Sequence, residues 1–335
     1  MNALLIISVL RQQFVKRWRS RMEALPFAGR FVLTLLKIIT LKFLYLLVGA
    51  WMLQSCKAQS IQLPLNPDDN SLLWEISGNG LKKPSYLFGT FHILCKQDVH
   101  FSETLKKALT ASEEVYFEMD LDDPSNTLGG MFFMNMKDGK TLKDLYNDDE
   151  YTKVEQFFND SLKMPLFALQ KMKPLVLQTM LYPRLLSCKQ SSGVELELLK
   201  LVAEQKKEVK GFETIQDQAA FFDDIPYETQ AKELLKSLDS LAYWSAEFDT
   251  MVAVYKAQKL SDIEKMFTDS EFTAGENKAI LLDNRNRNWV EQLSKIMPKT
   301  SVFVAVGAGH LPGEMGVIEL LRKAGYTVRP LQNND

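Results

Sequence analysis

Two of the three histidines in the chain occupy the same four-residue frame. Gly89-Thr90-Phe91-His92 follows one apolar, strand-like run, and Gly307-Ala308-Gly309-His310 follows another near the opposite end of the chain. Glycine at the end of a strand lets the backbone turn sharply and sets the next side chains at the sheet edge. Two such edges brought together aim two imidazoles at one point, which suits a divalent metal ion or a pair of acid/base groups. Acids close two further strand-like runs, Val115-Tyr116-Phe117-Glu118 and Val209-Lys210-Gly211-Phe212-Glu213. Two imidazoles and a carboxylate can bind a first-row metal and leave positions open for water and substrate. A second carboxylate can then take a proton from the water.

Each residue also has a plainer reading. His92 alone is a loop histidine bonded to backbone, and the recurrence of the Gly-x-x-His frame is what tips it towards a site. Glu118 alone reads equally as a solvated strand end, and Glu213 as a surface or capping residue. Arg285 and Arg287 lie on a charged helix and read as solvent-facing, and His100 reads as a loop residue. The glycines at 307 and 309 lack the full spacing and the Lys-Ser/Thr follower of a phosphate loop. Ser187, Ser191 and Ser192 form no nucleophile elbow, and no HExxH motif occurs.

The elements that must carry these residues alternate. Leu72–Ile76 and Ser85–Phe88 read as two strands of a hairpin around Gly78-Asn79-Gly80. Ser102 can cap a helix that buries Leu105, Ala108 and Leu109. A strand then leads to Glu118. From about 140 to 295 the pattern is mostly helical, with a helix opened by Gly193, a short strand to Glu213, helices resuming after Asp217, and an amphipathic stretch from about Glu276 to Met297. Ser301–Val306 is apolar throughout, as in a strand buried on both faces. A loop, a helix over 314–324 stopped by Gly325, and a strand over 326–330 come next, which implies a parallel strand pair with a right-handed crossover. The fold class is α/β: a mixed central sheet with flanking helices and a large helical insertion. In such sheets ligands gather at the carboxyl ends of strands.

Charge is unevenly spread. Residues 1–55 hold eight Lys/Arg and one acid, a net of +7, whereas the remainder carries a net of −9. An acidic body without a basic stripe argues against nucleic acid as a partner. The basic segment precedes an apolar run from Phe43 to Leu53, the length of a signal-peptide core rather than a full span. Leu53-Gln54-Ser55-Cys56 resembles a bacterial lipobox, with Gln54 as a departure from it. Residues 1–55 are therefore expected to be a signal peptide or membrane anchor, and 56–71 a tether next to the lipid. The membrane would be reached through lipidated Cys56 or through the apolar segment itself. Either way the body lies outside the cytoplasm. The long basic stretch leaves Met22 as an alternative start. Cys95 and Cys188 can pair in an oxidising compartment; Cys95, three residues after His92, is open to burial or a metal role as well.

At these residues the sequence resembles the TraB/GumN family, relatives of the Tiki extracellular metalloproteases. The likeness covers about 72–332 and is carried by Leu72–Ile76, Tyr86–His92, Val115–Glu118, Gly211-Phe212-Glu213-Thr214, Arg285-Asn286-Arg287-Asn288-Trp289 and Val306–Gly313. It implies a fold like that of erythromycin-esterase-like and ChaN-like proteins. It makes His92, Glu118 and His310 the metal-site residues, with manganese or cobalt as the implied ion and zinc also admissible. Glu118, Glu213 and Arg285 are carried over as catalytic, Arg285 near a developing oxyanion. Family members commonly carry Asp after the glycine matching Gly193, where this chain has Glu195. The implied activity is metal-dependent hydrolysis of a peptide or protein substrate through an activated water. The alternatives are a non-catalytic metal- or haem-binding lipoprotein, with His100 or a tyrosine as haem ligand, and a scaffold that keeps only the fold.

Overall fold

The computed structural model describes residues 70–123, 130–269 and 276–334. The expected export segment, Cys56 and nearly all of the tether lie outside the described residues. Among the described residues no helix is long and apolar enough to cross a membrane.

Among the described residues eight strands form: β1 (Leu73–Ser77), β2 (Ser85–Thr90), β3 (Leu94–Cys95), β4 (Glu114–Met119), β5 (Ser191–Ser192), β6 (Glu208–Glu213), β7 (Val302–Gly307) and β8 (Thr327–Pro330). Six of them make one mixed sheet in the order β6-β4-β7-β2-β1-β8, and β3 pairs with β5 in a small separate ladder. β6, β4, β7 and β2 run parallel to one another, and β1 is antiparallel to both β2 and β8. β2 is buried along its whole length and β7 along all but Gly307. Tyr86–Gly89 of β2 and Val302–Val306 of β7 are apolar on both faces, as in strands covered on both sides. The β1–β2 hairpin turns where Gly78, Asn79 and Gly80 all adopt positive φ, a backbone that glycine takes without penalty and asparagine tolerates.

The crossover at the C-terminus differs from expectation. β7 and β8 point the same way but are not neighbours, because β2 and β1 lie between them. The hairpin is the more apolar unit and takes the interior. β8 is four residues long, exposes Thr327 and Arg329, ends in proline and serves as an edge, as such strands do. Two helix starts also shift. Thr214 and Asp217 form a reciprocal capping box, so that helix begins at Ile215 rather than after Asp217. The last helix is Val317–Lys323, capped by Gly316. The chain folds back so tightly there that a Cβ on Gly316 would stand 2.2 Å from the Pro312 carbonyl oxygen.

Two separate apolar clusters hold the body. The larger surrounds the sheet and includes the fully buried Trp74, Phe117, Phe303 and Trp289. The smaller is built mainly from helices and includes Leu142, Phe158, Leu166, Leu177 and Leu234. It is the core of the expected helical insertion. The helix Ile215–Asp223 adjoins it, where Lys173, wholly buried, donates to the Ala219 carbonyl (2.7 Å), to the Phe133 carbonyl (3.0 Å) and to Asp223 (2.8 Å).

Candidate functional site

The four neighbouring parallel strands each deliver one chemically useful side chain at the carboxyl end. Across the sheet the order is Glu213 (β6), Glu118 (β4), His310 in the short turn after β7, and His92 just after β2. This is the edge at which open α/β sheets gather ligands. The strands supply the spacing, and the side chains are fixed by what surrounds them.

His310 is buried, 4% exposed, beside the Trp289 ring at a centroid distance of 4.4 Å. Its Nδ1 lies 2.6 Å from Asn286 Oδ1. The amide orientation is set by its other end, since Asn286 Nδ2 donates to the Met315 carbonyl at 2.8 Å. Burial, aided by the Arg285 and His92 charges and opposed by Glu118, lowers the His310 pKa to about 3. The ring is therefore neutral at pH 7, with the Nδ1 hydrogen donated to Asn286 and the lone pair on Nε2.

Glu118 accepts from the Gly307 backbone N–H at 2.8 Å and from Arg285 Nη2 at 2.6 Å. Burial opposes its ionisation, but Arg285 and the two histidines outweigh burial and hold the carboxyl well below the usual carboxylate range. Glu213 is 6% exposed. It receives Arg285 through Nε (3.0 Å) and Nη2 (2.8 Å), Trp289 Nε1 at 2.8 Å and Gln218 Nε2 at 3.2 Å. The surface or capping reading of Glu213 is thereby replaced by that of a buried anchor. The solvent-facing reading of Arg285 fails too. Its side chain is 11% exposed and its guanidinium lies 4.8 Å from the Trp289 ring centre and 5.3 Å from that of Phe221. Only Arg287 faces solvent. Arg285 is aimed inward by a π-helical turn, Ala279–Asp283, immediately before the helix Asn284–Ile296. Such a turn holds one extra residue and so rotates the next stretch of helix about its axis, often at functional sites.

His92 is held differently. Its side chain is 71% exposed and its Nδ1 lies 2.7 Å from Glu195 Oε1, which also accepts from Thr90 Oγ1 at 2.7 Å. Surrounding protein pulls the His92 pKa down, but the charge and hydrogen bond of Glu195 outweigh that, Glu118 adds to them, and the pKa rises to about 9. Glu195 sits in the first turn of the helix Val194–Glu204. The start of that helix is clamped to the His92 loop. Val194 N–H donates to the Phe91 carbonyl at 3.0 Å, β3 pairs with β5, and Cys95 and Cys188 form a disulfide. Cys95 is therefore not a metal ligand. A Cβ on Gly193 would stand 2.6 Å from the His92 carbonyl oxygen, so glycine is required for the close approach.

Glu118, Glu213, Arg285 and His310 thus meet directly, whereas His92 joins them through charge and pairs with Glu195. His100 lies on an exposed loop. Glu195, Asn286, Trp289 and Gln218 were not picked out by spacing as partners of the site. Glu195 had one signal, its place where relatives carry a shorter acid, and Asn286 lies inside the Arg-Asn-Arg-Asn-Trp string. Among the described residues, no three His, Cys, Asp or Glu side chains form a ready-made metal cage. The donors nonetheless suit a divalent ion in kind. Each histidine has Nδ1 bound to a carboxylate or amide oxygen, which points to Nε2 as the ligand atom, the usual outer-shell arrangement of metal-binding histidines; His92, protonated at neutral pH in the metal-free protein, would release a proton on binding.

The profile of the TraB/PrgY/gumN family matches residues 72–330. The chain belongs to this family. It is similar to Metalloprotease TIKI2 of Danio rerio, 23% identical over 315 residues that cover 78% of this chain and 61% of that protein. It is likewise similar to Metalloprotease TIKI1 of Homo sapiens, 23% identical over 319 residues covering 79% of this chain and 63% of that protein. A shorter stretch of 96 residues is 33% identical to Metalloprotease TIKI2 of Xenopus tropicalis, covering 28% of this chain and 18% of that protein. The chain thus spans about three-fifths of the length of the first two relatives. No solved structure gives a significant match.

Proposed function

We propose that the protein is a metal-dependent hydrolase that cleaves peptide bonds outside the cytoplasm, attached to a membrane through its N-terminal segment. The observation that carries this reading is the pair of imidazoles at neighbouring strand ends, each with Nδ1 restrained by an oxygen, so that Nε2 is the nitrogen an ion would take, on His92 after that ring gives up its second proton. Similarity to proteins named metalloproteases supports the reaction class. The Cys95–Cys188 disulfide supports an oxidising compartment, since cytosolic thiols are kept reduced.

His92, His310 and Glu118 would hold the ion, manganese or cobalt, which when bound supplies Lewis-acid polarisation and acidifies a water. The protein's own groups do the rest. Glu118 is ionised and held in place by the Gly307 N–H. Arg285, seated on Glu213, offers a cation for a developing oxyanion. Glu213 receives Arg285, Trp289 and Gln218 together, so its part is to orient Arg285.

The test is metal analysis of the purified protein and of His92→Ala and His310→Ala, paired with cleavage of a broad peptide library. Both variants should lose metal and cleavage. Unchanged metal content in both defeats the assignment.

A further inference from the structure

An imidazole nitrogen has one lone pair and can give it to one partner at a time. In this protein the His310 Nε2 lone pair faces Arg285 Nη1 at 3.2 Å, while Arg285 Nη2 covers Glu118 Oε2 at 2.6 Å. A divalent ion drawing on His310 Nε2 needs the position that Nη1 takes, and one drawing on Glu118 meets a carboxylate whose charge Nη2 already neutralises. Resting on the metal-site reading above, we propose that Arg285 is a tethered cation that competes with the divalent ion for Glu118 and His310, so that the site opens only when Arg285 withdraws onto Glu213.

The surroundings of Arg285 fit such a withdrawal. Two of its nitrogens are bound to Glu213, whose carboxylate is pinned in turn by the Trp289 indole N–H and by Gln218. Nη1 also donates to the Leu281 carbonyl of the π-helical turn at 3.0 Å. The planar group lies against Trp289 and Phe221. When the contacts with Glu118 and His310 break, the guanidinium keeps a carboxylate fork, a carbonyl and two ring faces. A buried cation with that many remaining partners can shift without being stranded. The arrangement also explains two neighbouring buried acids. Glu213 is the permanent seat of Arg285, and Glu118 is the seat that the incoming ion takes over.

The latch predicts the sign of a mutation that a purely supportive arginine would reverse. Cobalt(II) affinity is measured from the visible spectrum, by chelator competition, for wild type, Arg285→Gln, Arg285→Lys, Arg285→Gln/Glu213→Gln and His310→Ala. Freed of the charge-assisted contacts, Arg285→Gln should bind about ten- to a hundredfold more tightly. The charge-balanced double variant should show the same gain, which guards against misfolding of the single one. Arg285→Lys keeps the charge but not the fork and should fall between Arg285→Gln and wild type. In metal-free protein the His310 Nε2 nitrogen resonance, one of only three histidines to assign, should move in Arg285→Gln.

Equal or weaker cobalt binding in both glutamine variants overturns the latch, as does wild-type affinity in Arg285→Lys, which would mark a long-range charge effect. An unmoved His310 resonance overturns it too. If His310→Ala abolishes binding while Arg285→Gln changes nothing, the metal site stands and the latch alone falls. If neither wild type nor Arg285→Gln takes up metal, the metal-site reading fails and the latch with it.

Discussion

Replacing both members of the Cys95–Cys188 pair by serine tests how the exposed half of the site is held. The two cysteines are 93 residues apart. The loop-entropy treatment of a crosslink closing that length gives about 4.6 kcal/mol at 25 °C, of which roughly 2–4 kcal/mol is usual in practice. For a body of this size that corresponds to a fall in Tm of about 5–15 °C. The loss should not be uniform. The β3–β5 ladder has only two residue pairs, too short to hold two segments together alone. The buried strands carrying Glu118 and His310 do not depend on it. Circular dichroism should therefore show a lower Tm with the native spectrum retained, while the histidine nitrogen spectrum changes for His92 and stays constant for His310. An unchanged Tm together with an unmoved His92 resonance would refute the reasoning and leave the Val194–Phe91 hydrogen bond and Glu195 as sufficient supports.

Single contacts carry two further expectations. Gly193→Ala places a methyl group 2.6 Å from a backbone oxygen of His92, which no side-chain rotation relieves; a loss of about 1–3 kcal/mol in urea unfolding with a shifted His92 resonance is expected, and wild-type values for both would contradict it. Asp223→Asn leaves the Lys173 ammonium, 0% exposed, without its countercharge and should cost about 3–5 kcal/mol. In the wild type, burial raises the Asp223 pKa but Lys173, Tyr227 and Lys137 outweigh burial and depress it. Its contribution to stability is thus complete above the unfolded pKa of about 3.9 and fades as pH falls through the lower folded value. Unfolding curves of wild type and Asp223→Asn should converge as the solution is acidified below about pH 4; a constant gap would sink the assignment.

Much of the candidate edge was legible because strand ends announce themselves. An apolar run followed by glycine and then histidine, or ending in an acid, fixes a place on the sheet before any tertiary contact is known. The four residues His92, Glu118, Glu213 and His310 stand out that way, and the structure puts them at or just beyond the carboxyl ends of adjacent parallel strands. Their surroundings were not legible. Arg285 looks like any arginine on a polar helix until a π-helical turn rotates it inward, and periodicity cannot foresee one inserted residue. Asn286 and Glu195 become partners of the histidines only through contacts 24 and 103 residues apart in the chain. The place of β8 was missed for a related reason. The β-loop-α-β pattern fixes its direction, but the competition with the β1–β2 hairpin for the seat next to β7 is settled by burial.

The helix Ile215–Asp223 faces two ways at once. Gln218 and Phe221 reach the Glu118–Arg285 network, while the Ala219 carbonyl and Asp223 grip Lys173 at the adjoining helical layer. Nine residues of one helix thus tie the anchoring of a buried lysine in the helical layer to the setting of the charges at the sheet edge.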